Sequence, residues 1–177
     1  NTEMDEKKRR LIDQALDLLN NGKNEESIEI LNKIITKDQS DYQIYFLLAQ
    51  AYFKIGDDNK SLENLEKSFE INDKFIPVLE SLGKLYTNKG MIKKAILTYK
   101  KIVLLDEYNL PVIFELQKLD KNIVDENKIL KIKKILKSNT INDNKQNINL
   151  DRFKSAGYFI LYLYEKNNKN YVKEIKY

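Results

Sequence analysis

The chain predicts an all-α helix-turn-helix solenoid, and three observations carry that expectation. Residues 76–109 slide back by 34 positions onto residues 42–75 with the same pattern of apolar, small and polar side chains, and more loosely onto residues 8–41. Gly22, Gly56 and Gly90 recur at the same spacing between matched apolar stripes. Pro77 and Pro111 recur at it too, each where a helix opens and a missing amide hydrogen costs little.

Taken in order, residues 1–7 are polar and are expected to fray. The first unit, 8–41, places Leu11, Ala15, Leu18 and Leu19 on one helical face, turns at Asn21-Gly22, and restarts at Asn24, a residue type that caps helices. Ile28, Leu31, Ile34 and Ile35 form the stripe of its second helix. The second unit, 42–75, repeats this with Tyr45, Leu48, Ala49 and Tyr52, then Gly56, a start at Asp57 or Asp58, and Leu62, Leu65, Phe69 and Ile71. The third, 76–109, has Leu79, Leu82, Gly83 and Tyr86, then Gly90, then Ala95, Tyr99, Ile102 and Leu105.

Beyond residue 109 the pattern weakens. Ile113, Leu116 and Leu119 continue the stripe, but Asp120 stands where an aromatic is expected and no turn glycine follows, so 110–138 reads as a degenerate fourth unit. Its second helix is expected from about 125 to 137 around Ile129, Ile132 and Leu136. Residues 139–149 are Asn-rich and aperiodic, a linker. Residues 150–177 read as a C-terminal helix or partial fifth unit, with one helix over about 150–165 and a partner starting near Asn170. By propensity alone, 158–164 also suits a strand.

Composition excludes whole classes of function. With no Cys and no His there is no disulfide framework, no Cys- or His-ligated zinc and no Cys or His nucleophile-base pair. The five glycines are isolated, which rules out a glycine-rich phosphate loop, and no pair of acids stands out, so no catalytic residue, metal or cofactor is expected. Asp57-Asp58-Asn59 reads as a helix start and not as an ion loop. The longest purely apolar or aromatic run, 158–164, is far shorter than the roughly 20 residues a membrane span needs. The chain opens at Asn1, which leaves localisation open between the cytoplasm and export or lipid anchoring after loss of a leader.

The residues aligned above resemble the tetratricopeptide repeat (TPR) family. Its pattern has a large fourth residue, Leu-Gly at seven and eight, Tyr at eleven, small residues at twenty and twenty-seven and an aromatic or large residue at twenty-four; the third unit supplies Leu79, Leu82-Gly83, Tyr86, Ala95, Tyr99 and Ile102. Tyr45, Leu48-Ala49, Tyr52, Ser61 and Ser68 meet it in the second unit, while Gln14 departs from it in the first. Phe153, Ala156-Gly157 and Ile160 echo it near the C-terminus. The resemblance implies a right-handed superhelix of antiparallel helix pairs acting as a non-enzymatic scaffold, which holds a peptide or helix of a partner protein in a concave groove.

In that family the groove is lined by the second, fifth, ninth, twelfth and thirteenth positions of the first helices. Carried over, these are Arg9, Ile12, Leu16, Leu19 and Asn20; Gln43, Phe46, Gln50, Phe53 and Lys54; Glu80, Lys84, Thr87 and Asn88; Phe114 and Lys118. Phe46 and Phe53 also exceed what one buried face of their helix needs, which marks them as partner contacts or as packing against the neighbouring unit through Leu16 and Leu19. TPR domains that clamp chaperone carboxylate tails carry Lys and Asn at set positions, which here hold Ile12, Leu16, Leu47, Pro77 and Ser81; no such clamp is expected.

Two other readings remain. The C-terminal helix is apolar or aromatic almost all round, so Phe159, Tyr162 and Leu163 are candidate homo-oligomer contacts. Charge is uneven: residues 1–75 carry 11 Lys or Arg against 16 Asp or Glu, and residues 76–177 carry 20 against 11. Nucleic-acid binding by the basic half is disfavoured, because Lys93, Lys94, Lys100, Lys101, Lys131, Lys133, Lys134 and Lys137 lie on second helices and lack interleaved stacking aromatics.

Overall fold

The computed structural model describes residues 2–138 and 148–175, with side chains at 2–138 and 150–169. Those residues form nine α-helices and one 3-10 turn, with no strand among them. Of the linker expected at 139–149, residues 139–147 lie outside the described residues, and 148–149 instead open the last helix. The helices are α1 (Thr2–Asn20), α2 (Asn24–Ile35), α3 (Tyr42–Lys54), α4 (Asp58–Ile71), α5 (Ile76–Asn88), α6 (Ile92–Leu105), α7 (Leu110–Leu119), α8 (Glu126–Lys137) and α9 (Ile148–Ile175). They divide into two compact units, Asn1–Gly90 and Met91–Tyr177.

Turn chemistry sets the hairpins. Gly22, Gly56 and Gly90 have φ of 75°, 82° and 73°, the left-handed conformation that ends a helix. After the first two, the N–H groups of Lys23 and Asp57 bond the carbonyls of Leu18 and Tyr52, five residues back, at 2.8 and 2.9 Å. A Cβ on Gly56 would meet nothing within 4 Å, so the requirement there is conformational and not steric. Gly56→Ala is therefore expected to lower stability by about 1 kcal/mol without changing the fold, and Gly56→Asn by less; denaturant midpoints of the two variants check this.

Helix starts follow from side-chain caps. Asp41, Asp57, Asn109 and Asp125 accept hydrogen bonds from the backbone N–H groups of Gln43, Lys60, Val112 and Lys128. Asn24 does not do so. The Lys23 carbonyl already accepts the Ser27 N–H, so α2 begins at Asn24 itself, whose Oδ1 is buried without a hydrogen-bond partner. Nor does the N-terminus fray as expected: α1 runs from Thr2, with Glu3 and Asp5 in its first turn favouring the helix dipole and Arg10 pairing with Glu6.

In the first unit α3 packs against both α2 and α4. Ala15, Leu19, Ile28, Leu31, Ile34, Ile44, Leu48 and Ala51 form one buried cluster. Small residues let the hairpins close: Ser27 and Ser61 donate hydrogen bonds of 2.8 Å to the carbonyls of Ala15 and Ala49. These equivalent positions in successive repeats tie the second helix of each pair to the first. Ser68 similarly donates to the Tyr42 carbonyl at 2.7 Å.

The second unit departs from the repeat. Lacking a turn glycine, α7 stops after ten residues, and Asp120 caps a 3-10 turn (Lys121–Ile123) instead. Its main neighbour is α9, and Leu110, Ile113, Val124, Ile129, Ile132, Ala156 and Ile160 form the core. At Gly157 a Cβ would lie 2.8 Å from Leu136 Cδ2 and 3.1 Å from Leu110 Cδ1, so α9 approaches its neighbours closely there. The strand alternative for 158–164 is overturned, and so is the partner helix near Asn170: α9 is continuous to Ile175, since no Gly or Pro interrupts it after Gly157.

Candidate functional site

The nominated side chains fall in two sets, one in each unit, and each is described within its own unit. On α1, α3 and α5, Arg9, Asn20, Gln43, Gln50, Lys54, Lys84 and Asn88 are exposed, while Ile12, Phe46, Glu80 and Thr87 are half-buried. Leu19 is a correction. At 4% exposure it belongs to the core under α1, because its stripe faces α2 and α3 and leaves nothing for a partner.

The two phenylalanines of α3 separate. The Phe46 ring meets Phe75 edge-on at 5.5 Å, and Tyr42 meets the same ring at 5.1 Å, so Phe46 packs on the residue before α5. The expected packing route ran through Leu16 and Leu19; Phe75 is the side chain that route missed. Phe53, two turns further along the same face, is 53% exposed, and Leu16 on α1 is 36% exposed. Between the two helices, Lys54 Nζ donates to the Leu19 carbonyl at 3.2 Å, placing the ends of α1 and α3 within one lysine's reach. Leu16 on α1 and Phe53 on α3 are thus exposed apolar side chains on helices that also expose Asn20, Gln50 and Lys54.

Polar contacts hold the helices that carry this face. Lys8 reaches Asp38 at 2.8 Å and Asp41 at 2.9 Å, tying α1 to the loop before α3. The Lys8 hydrogen bond, with help from Ser40, holds the half-buried Asp38 carboxyl well below the usual carboxylate range. Tyr86 on α5 donates to Glu66 on α4 at 2.8 Å. Burial first, and Glu66 second, push the Tyr86 phenol well above its ordinary value. The unfolded chain ionises near pH 10 while the folded one keeps its proton, so this contribution is complete below about pH 10 and declines as pH rises further. Urea titrations from about pH 8 to 11 are expected to show a steeper alkaline loss for the wild type than for Tyr86→Phe.

In the second unit, the half-buried Phe114 on α7 stacks on Phe159 of α9 with centroids 5.4 Å apart and planes 23° from parallel. Lys118 places its Nζ 4.8 Å from the Phe114 ring and pairs with Glu115 at 2.6 Å. Residues nominated separately, as groove lining and as oligomer contact, therefore form one patch. Tyr158 and Tyr162 extend it, at 59% and 63% exposure, and Leu163 is half-buried beside it. Among the described residues no group of His, Cys, Asp or Glu is placed to hold a metal ion.

The family model of the tetratricopeptide repeat matches residues 42–75 and 76–109. No curated protein matches the chain in sequence. Among solved structures, MamA is similar over 92% of this chain and 81% of its own at 18% identity, with a TM-score of 0.62. The first TPR of Spaghetti (RPAP3), bound to the HSP90 peptide SRMEEVD, is 18% identical over 66% of this chain and 94% of its own, with a TM-score of 0.59. The type III secretion chaperone SycD of Yersinia enterocolitica, with a peptide of the translocator YopD, is 14% identical over 64% and 92%, also at 0.59. Two adjacent repeats matched in sequence, on a fold shared with other TPR structures, make residues 42–109 of this chain tetratricopeptide repeats.

Proposed function

We propose that the protein is a non-enzymatic interaction scaffold, which binds a peptide or helix of a partner protein on the α1–α3 face of its first unit. The observation that carries this reading is Phe53. A phenylalanine more than half exposed, on the face of α3 away from its buried stripe, suits a partner contact better than a fold contact. Leu16, Gln50 and Lys54, exposed on the same two helices, add the mixture of apolar and hydrogen-bonding groups that an extended or helical segment requires. The peptide-bound states of the RPAP3 and SycD structures support the mode of binding.

The chemistry of the ligand differs from that of the HSP90 peptide. Positions that hold the acidic tail in carboxylate-clamp TPR domains are occupied here by Ile12, Leu16, Leu47, Pro77 and Ser81, none of them cationic. Affinity capture from native lysate tests the reading. A protein retained by the wild type is expected to be lost with Leu16→Ala/Phe53→Ala, since each anchor contributes on the order of 2 kcal/mol, and the peptide SRMEEVD is expected not to compete. Equal retention by the folded double variant counts against this face.

A second reading is favoured by the exposed row Tyr158, Phe159 and Tyr162 on α9, which suits self-association. Sedimentation of wild type beside Phe159→Ser/Tyr162→Ser distinguishes it: a dimer that the substitutions dissociate supports it, and a monomer at all concentrations excludes it.

A further inference from the structure

The outer side of α6 is not used by either surface above. Its sequence, IKKAILTYKKIVLL, holds four lysines and no acid; Asp106 and Glu107 begin only after the helix. Ala95, Tyr99 and Ile102 are buried on one side. On the opposite side Lys93, Leu97, Lys100 and Leu104 follow one another at spacings of four, three and four, a single stripe. Both lysines are exposed, Leu97 is 68% exposed and Leu104 is 86% exposed. In the same unit α8 repeats the composition: Leu130 is exposed, with Lys134 and Lys137 one and two turns beyond it.

We propose that the outward stripe of α6 docks the protein on an anionic lipid bilayer, with Leu97 and Leu104 entering the headgroup boundary and Lys93 and Lys100 meeting lipid phosphates. Three properties favour a bilayer over an acidic protein. The leucines protrude from a helical ridge, which suits a deformable medium and not a shape-matched groove. The cations sit on long lysine stems, which let the ammonium ride at an interface while the neighbouring leucines go deeper. The charge on the stripe is of one sign, as an anionic surface requires.

Co-sedimentation of the whole chain with vesicles tests the proposal. The wild type is expected to pellet with mixed phosphatidylcholine–phosphatidylglycerol vesicles at low salt, to be released as salt rises, and to stay in solution with phosphatidylcholine alone. Lys93→Gln/Lys100→Gln is expected to weaken partition on the order of thirtyfold, about fivefold for each charge removed near the surface. Leu97→Gln/Leu104→Gln is expected to weaken it on the order of tenfold with helicity and melting unchanged, because both side chains already face solvent. No binding to the anionic vesicles overturns the proposal, and so does binding that the leucine variant leaves intact. Two further results also overturn it: tight binding to polyuridylate that depends on the lysines but not the leucines, which makes the stripe a nucleic-acid contact, and vesicle-free self-association that the same substitutions abolish.

Discussion

Ile44→Ala is expected to lower the stability of the first unit by about 2–5 kcal/mol, the largest effect of a single substitution in it. Ile44 is fully buried in the cluster that joins α1, α2 and α3, although the inner stripe of α3 runs through Tyr45, Leu48, Ala49 and Tyr52. Removing three carbons there leaves a cavity between helix pairs that short, capped hairpins cannot easily close. The neighbouring Gln43 is exposed, so Gln43→Ala is expected to stay within about 0.5 kcal/mol of the wild type. Thermal melts of the two variants check both; the expected separation is on the order of 10 °C. Similar midpoints for the two would mean that α3 is buried on one side only.

Gly157→Leu is expected to have the corresponding effect in the second unit. The side chain would enter the space held by Leu136 and Leu110, where even a Cβ comes within 3.1 Å of three methyl carbons. Overpacking of this kind costs about 1–3 kcal/mol and shifts whole helices. Because α9 is the main neighbour of α7, that shift also breaks the Phe114–Phe159 stack and the buried hydrogen bond from Gln117 Nε2 to the Ile160 carbonyl. Gly157→Ala differs. The atoms it meets are the ends of flexible leucines, and replacing glycine within a helix returns up to about 1 kcal/mol, so the two contributions offset. Amide exchange along α9 is expected to accelerate in the leucine variant and to be little changed in the alanine variant.

Gln117 also marks where legibility in the sequence ends. Ala15, Ala49 and Gly83 occupy the small position of three successive repeats, and from their spacing the helix pairs of the first half and their glycine turns can be read directly. At the same position α7 carries Gln117, which is buried and reaches α9, leaving its Oε1 without a hydrogen-bond partner. A residue that breaks the pattern to serve a contact 43 positions away cannot be found from a period of 34. Ile44 and Ala51 escaped for a related reason: hydrophobic periodicity identifies one apolar face, whereas α3 has neighbours on two sides. Sequence could nominate the candidate site as a set of positions, carried over from the family that the repeats resemble. Which members remain free was not, since the burial of Leu19 and the capture of Phe46 by Phe75 depend on how helices from different repeats meet.

Partner binding on the α1–α3 face requires that Phe53 meet a partner and not the fold. A photo-crosslinking amino acid placed at position 53, at position 50 beside it, and at Lys67 on the exposed side of α4 tests this most directly in native lysate. The expected result is one shared protein adduct from positions 50 and 53, absent from position 67 and lost when Leu16 is also replaced by Ala. Adducts of equal yield from all three positions, or an adduct from position 67 alone, would contradict it.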